Sequence, residues 1–263
     1  MIPSNEEPRR RAAGYGPPPS SQKNTVIKFL LLLIVFLVSG CQSITRKSAE
    51  LTVEPSHIIF SFDDGPNDFN DTTARLLDVL KEYEIKAMFA LLGENAEKNP
   101  GLVRRIYNEG HLLINHGYFD KLTNRMGEEE FRNNLAMGEA AISKALGKEF
   151  FPKLYRPHGG LYSSTQKKII REAGYTIVFA DIRVYDAVMT GARKDKMISE
   201  LIEKVEKQNG GIVLLHDGRG SQIQMGKELA KNQSGVFNRS WVPAAVEEII
   251  IALKEKGFVI SKP

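Results

Sequence analysis

The sequence predicts an α/β fold, a distorted (β/α) barrel of about seven parallel strands, and three observations carry that expectation. Short β-rich runs alternate with amphipathic helical segments from His57 onward. Several of those runs are apolar almost throughout, the pattern of parallel strands covered on both faces. Polar residues of catalytic type gather where the runs end, and barrels of this kind keep their chemistry at the C-terminal ends of the strands.

The strand candidates are HIIFSF (57–62), KAMFALL (86–92), HLLINH (111–116), KLYRPH (153–158), TIVFAD (176–181), GIVLLHD (211–217) and FVIS (258–261). The helical segments between them are 71–83, 100–109, 128–146, 164–173, 195–207 and 242–256; in the first, Leu76, Leu77 and Leu80 share one face. Residues 218–240 are polar and Gly-rich and read as a loop bordering the cleft. Trp241, the single Trp, starts the last helix.

Ahead of this domain (55–263) stand two shorter pieces, a leader (1–41) and a polar tether (42–54). The leader runs basic, then apolar for about fourteen residues, then small, the order of an export signal and shorter than the roughly 20 residues of a spanning helix. Its end, Val38-Ser39-Gly40-Cys41, resembles a bacterial lipobox, which implies lipidation of Cys41 and a domain held at a bacterial membrane outside the cytoplasm. An uncleaved anchor is the alternative and places the domain on the same side. Cys41 is the sole cysteine, so no intramolecular disulfide forms. Five basic and two acidic residues precede it, leaving 31 basic against 30 acidic residues of the chain's 36 and 32. That balance argues against nucleic acid as a partner, and a monomer is expected.

The strand ends supply the chemistry. Asp63 and Asp64 close the first run, His116 the third with Asp120 four residues on, Arg156 and His158 the fourth, Asp181 the fifth, and His216-Asp217 the sixth. Two adjacent acids repel each other and cost desolvation, so something must offset them. A divalent metal held by Asp64, His116 and Asp120 would do so, with positions left open for water and substrate. Asp63 is then the general base, kept ionised by Arg156. His216 is a general acid whose tautomer is held by Asp181 or Asp186. Tyr155, Tyr162 and Tyr185 lie near the rim, where rings stack on sugars or simply pack.

SFDDGP (61–66), the His116-x-x-x-Asp120 spacing, RPHGG (156–160) and LLHD (214–217) resemble, in order, the motifs of polysaccharide deacetylases. These are the NodB-homology domains of family 4 carbohydrate esterases. The resemblance spans about residues 55–263 and implies a distorted barrel that removes acetyl groups from N-acetylated sugars with one divalent metal, zinc first, manganese, iron or cobalt next. It also implies Leu215 as the lining for the acetyl methyl. An N-acetylhexosamine polymer such as peptidoglycan is the expected substrate, ahead of chitooligosaccharide or exopolysaccharide. The alternatives are a glycan-binding pseudoenzyme and a hydrolase of O-acetyl esters or other amides. Departures from the family pattern fall at Gly117, Asp120, His158 and Ala187. Asp120 in place of His makes a harder, more anionic site that favours manganese or iron over zinc, while His158 adds a polar group or a ligand.

Overall fold

The computed structural model describes residues 53–263; Cys41, the leader and most of the tether lie outside the described residues. The central strand β1 (His57–Gly65) is flanked on one side by β2 (Met88–Leu91), β3 (Leu112–Asn115), β4 (Leu154–Tyr155) and β5 (Thr176–Ile177) in sequence order. On its other side lie β7 (Gly211–His216) and then β6 (Ile182–Arg183), while β8 (Val259–Ile260) pairs with the start of β1. Every pairing is parallel. The path ends at β5 and β6, and residues 178–181 cross that seam. Val178 N–H donates to Tyr155 O at 2.9 Å on one side, and Asp181 N–H donates to Ile212 O at 2.9 Å on the other. The sheet is therefore a curled barrel whose ends, β5 and β6, are bridged only by this covalent stretch; the sequence implied a distorted barrel without saying where the distortion lies. The run 176–181 splits into two short strands rather than forming one.

Strand alternation sorts the core into two layers. Ile58, Phe60 and Phe62 of β1 face the helices, whereas Ile59 joins Met88, Ala90, Ile114, Ile212 and Leu214 inside the barrel. The helices outside are α1 (Thr72–Glu82), α2 (Gly93–Lys98), α3 (Pro100–Asn108), α4 (Glu128–Leu146), α5 (Ser164–Glu172), α6 (Lys194–Gln208), α7 (Gln222–Lys231) and α8 (Val242–Glu255). Their starts follow local chemistry. Three glutamates open α4, favourable at a helix N-terminus, and Gly147 ends it at φ 69°. Ser163 and Gln166 form a capping box on α5.

Helices α2 and α7 are absent from the sequence-based expectation. The first is under two turns long. The second lies inside the stretch read as loop, where Ser221 caps it by accepting from Gln224 N–H, and Gln222, Met225 and Leu229 are its buried face. With only two apolar residues on that face and Gly226 in its middle, its period is too thin to read. Among the described residues no helix is long and apolar enough to cross a membrane.

Just beyond β7, Asp217 is fully buried. Thr73 Oγ1 donates to its Oδ2 at 2.5 Å, and its Oδ1 has no partner. Burial pushes the carboxyl from 3.8 up to about 7. Below the unfolded value both states hold the proton and stability is full; as pH rises toward 7 only the unfolded state releases it, so stability is lost across that window. In chelator-treated protein, denaturant unfolding between pH 4 and 7 is expected to carry this falling contribution against the rising one of His111, which burial pulls down to about 4. Asp217→Asn should remove the falling part, so that its stability climbs more steeply with pH than the native protein's, and an unchanged slope would assign the proton elsewhere.

Candidate active site

The inward face of β1 carries Ser61 and then Asp63, whose Cα partner across the ladder is His216 of β7. Asp63 Oδ1 accepts from Arg156 Nη1 at 2.5 Å, and the same nitrogen donates to Ser61 Oγ at 2.6 Å. Arg156 is itself held by Val178 O, to which Nε donates at 3.3 Å. Burial alone would raise the Asp63 carboxyl, but Arg156, His116 and His216 outweigh it and hold the group below its ordinary value. Asp63 is therefore ionised at neutral pH and fixed by a buried cation.

Asp64 should point the opposite way from Asp63 if β1 were regular. It does not, because the register slips between Asp63 and Gly65: one side of the ladder spends two residues where β2 spends one. Asp64 takes a left-handed conformation at φ 69°, and its carbonyl accepts from Asn95 Nδ2 at 2.9 Å. The bulge brings both carboxylates into one cavity.

His116, at the exit of β3, donates from Nδ1 to Arg156 O at 2.8 Å, which leaves Nε2 facing Asp64 Oδ1 at 3.5 Å and Asp63 Oδ2 at 3.7 Å. Burial pulls this ring below the ordinary histidine value despite the two acids, so it is a neutral imidazole with a free lone pair. Close approach of α4 packs this corner, since a Cβ on Gly138 would lie 2.4 Å from Asn115 Oδ1. His158 packs against His116 with ring centroids 4.7 Å apart and planes tilted by 36°. Its Nε2 sits 2.7 Å from Asp120 Oδ1, and its Nδ1 turns toward Asp64 Oδ1 at 3.8 Å. Burial opposes charge on His158, but Asp120, Asp64 and Asp63 prevail and raise it.

One donor atom from each of Asp64, His116 and His158 lies within 4.8 Å of the other two. Asp64 Oδ1 and His158 Nδ1 are buried without a hydrogen-bond partner. One carboxylate oxygen and two imidazole nitrogens converge here, the oxygen and the His158 nitrogen without partners, and the set fits a divalent cation. The expected third ligand, Asp120, is outside this group. It sits behind His158 and accepts from it, the carboxylate–histidine arrangement that fixes a ligating tautomer. The Asp in place of His at 120 is thus matched by a His in the RPHGG stretch.

Across the cavity, His216 Nδ1 lies 2.8 Å from Asp186 Oδ1, and His216 N–H donates to Asp186 Oδ2 at 2.9 Å. Burial would lower this ring, yet Asp186, with Asp64 and Asp63, raises it to about 9. Of the two acids expected to orient it, Asp186 does so. Asp181 lies at the other end of β7, accepting from Ile212 N–H at 3.0 Å, because its run broke into two strands.

Two further expectations are corrected. Leu215 faces the helix-side core, and Leu214, two residues before His216 and on the same strand face, lines the cavity. Tyr155 is fully buried, edge-on to Phe131 and Tyr175, with its hydroxyl 3.1 Å from Thr123 Oγ1; it is core. Tyr185 does stand at the rim, 72% exposed at φ 53°, and lines the cavity of about 460 Å³ together with Asp63, His116, His158 and His216. Arg219 and Phe237 line it as well, from the stretch read as loop. Only Leu214 had a readable signal, the period of two along its strand.

The polysaccharide deacetylase family model matches residues 50–178. Two peptidoglycan-N-acetylglucosamine deacetylases of Bacillus cereus are 31% and 30% identical to the chain. The first aligns over 202 residues, 77% of this chain and 65% of that protein; the second aligns over 174 residues, 66% of this chain and 78% of that protein. A crystal structure of a peptidoglycan N-acetylglucosamine deacetylase, bound to an N-hydroxybenzamide compound, superposes with a TM-score of 0.64 at 30% identity, covering 80% of this chain and 87% of its own. With the curled parallel barrel and the paired acids at its rim, these likenesses place the chain in the polysaccharide deacetylase family, the NodB-homology domains of family 4 carbohydrate esterases.

Proposed function

We propose that the protein is a metal-dependent hydrolase that removes N-acetyl groups from an N-acetylhexosamine polymer of the cell envelope. The observation that carries this reading is the facing pair Asp63 and His216, Cα partners on adjacent strands, one held as a carboxylate and the other as a protonated ring. A domain that only binds sugar has no use for a fixed base opposite a fixed acid. A divalent cation on Asp64, His116 and His158 would polarise the amide carbonyl and acidify water. Asp63 then takes a proton from the water attacking the carbonyl carbon. Arg156 keeps Asp63 ionised and aimed, while Leu214 gives the acetyl methyl an apolar wall. His216 gives its proton to the amide nitrogen as the C–N bond breaks, so acetate and a free amine leave. Asp186 keeps that proton available.

Peptidoglycan is the first substrate we propose. The names of the relatives and the export-type leader ending at Cys41 support it, the latter through lipid anchoring beside the wall. The test is acetate release by the purified protein, stripped by chelator and reloaded separately with zinc, manganese, iron or cobalt, on peptidoglycan and on chitooligosaccharides. Metal-dependent acetate is expected. A folded protein that binds glycan and releases none with any metal would be a pseudoenzyme.

A pH profile follows from the same groups. Asp63 must be ionised and lies below its ordinary value, so kcat/KM should stay level down to the lower end of the stable range. His216 must be protonated, so activity should fall as pH rises through a limb at or below about 9, the added cation pulling the ring down from there. Activity still climbing above pH 9.5 would remove His216 as the acid.

A further inference from the structure

Arg239 lies near the end of the stretch read as loop, yet it is 1% exposed, among the largest fully buried side chains. Burying a guanidinium is costly unless its donors are satisfied. Here Nη2 donates to Asp186 Oδ2 at 2.5 Å and to His216 O at 2.8 Å, Nη1 donates to Asp186 O at 2.8 Å, and Nε donates to His216 O at 3.2 Å. All four bonds end on the two residues of the acid dyad. The guanidinium carbon also lies 4.7 Å from the centroid of the Trp241 ring, which covers its face. Trp241 leads into α8, so the clamp joins the acid to the packed end of a core helix.

The sharing at Asp186 is orderly. Oδ1 meets the His216 ring, while Oδ2 meets Arg239 and the His216 backbone. Asp186 follows Tyr185, which is left-handed, and opens a single 3-10 turn, Asp186–Val188, so little regular structure holds it. Without Arg239, the carboxylate that aims His216 would be anchored chiefly by His216 itself. The base has a cation of its own in Arg156, and no step of the hydrolysis uses Arg239.

We propose that Arg239 is a positioning residue for the general acid, clamping Asp186 and the His216 backbone so that the ring keeps one tautomer and one aim. This deepens the deacetylase reading and rests on it for its kinetic arm; its spectroscopic arm stands apart. In zinc-loaded protein, Arg239→Met should lower kcat about 10- to 100-fold with KM within about threefold, as loss of an outer partner or a small misplacement does. Arg239→Lys should recover only part of kcat, because one ammonium cannot bridge the same oxygens. In an Asp186→Asn background, Arg239→Met should cost little more, since both act through one ring. In ¹⁵N-resolved spectra the native His216 Nδ1–H should be protected from exchange and should become labile in Arg239→Met.

Retention of native kcat and of the protected Nδ1–H in Arg239→Met would overturn the proposal. So would losses that add fully to those of Asp186→Asn, which would mark a general structural role. Should Arg239→Met fail to fold, Arg239→Lys carries the same comparisons. If native protein releases no acetate from any glycan, the deacetylase reading falls, and the Nδ1–H comparison still decides whether Arg239 orients the ring.

Discussion

Asp63→Asn is expected to abolish acetate release while leaving the metal in place. The carboxamide fills nearly the same space but accepts no proton, so the loss should reach or exceed the 10²–10⁴-fold typical of a missing general base. The substitution also removes the carboxylate from Arg156, which keeps Ser61 and Val178 as partners but loses its buried counter-charge. Breaking a buried pair from one side costs about 3–5 kcal/mol, so a lower melting temperature should accompany the lost turnover. Elemental analysis separates the roles: metal should persist near one per chain in Asp63→Asn and vanish in Asp64→Asn. Full activity in Asp63→Asn would end its assignment as base.

The second large effect concerns which residue completes the metal site. Deleting a ligand should be far worse than deleting the group behind it. His158→Ala removes a nitrogen that is buried, orphaned and turned toward Asp64, so competition against a chromophoric chelator should show metal binding nearly lost. Asp120→Asn leaves that nitrogen in place and weakens only the hold on the ring's far side, expected at about 10- to 100-fold in affinity. The opposite order would return Asp120 to the ligand position that spacing alone gave it. The result also bears on metal choice: two imidazoles and one carboxylate suit zinc better than one imidazole and two carboxylates do.

How much was legible beforehand can be traced through single residues. The barrel was readable because β1, β2, β3 and β7 are buried on both faces and show it as continuous apolar runs bounded by turns. Asp63, His116 and His216 do meet in one cavity, as their places at strand exits implied. Asp120 misled because a spacing of four implies one helical face, whereas residues 116–122 form no helix and the ring of His158 fills the place. Leu215 misled because a neighbour in sequence is the opposite face of a strand. Arg239 had no local signal: an arginine in a polar stretch becomes meaningful only when the chain returns to the sheet.

The slip in register at the end of β1 carries a lesson for anyone hoping to transplant this chemistry. Grafted onto a regular strand end, the same two letters would send one acid into the cavity and the other among the helices, leaving a stranded charge and half a catalyst. What has to be moved is the kink, together with Asn95, which grips the carbonyl of Asp64. The meeting of two adjacent aspartates in one cavity is thus a property of the backbone's path, and side-chain identity alone does not encode it.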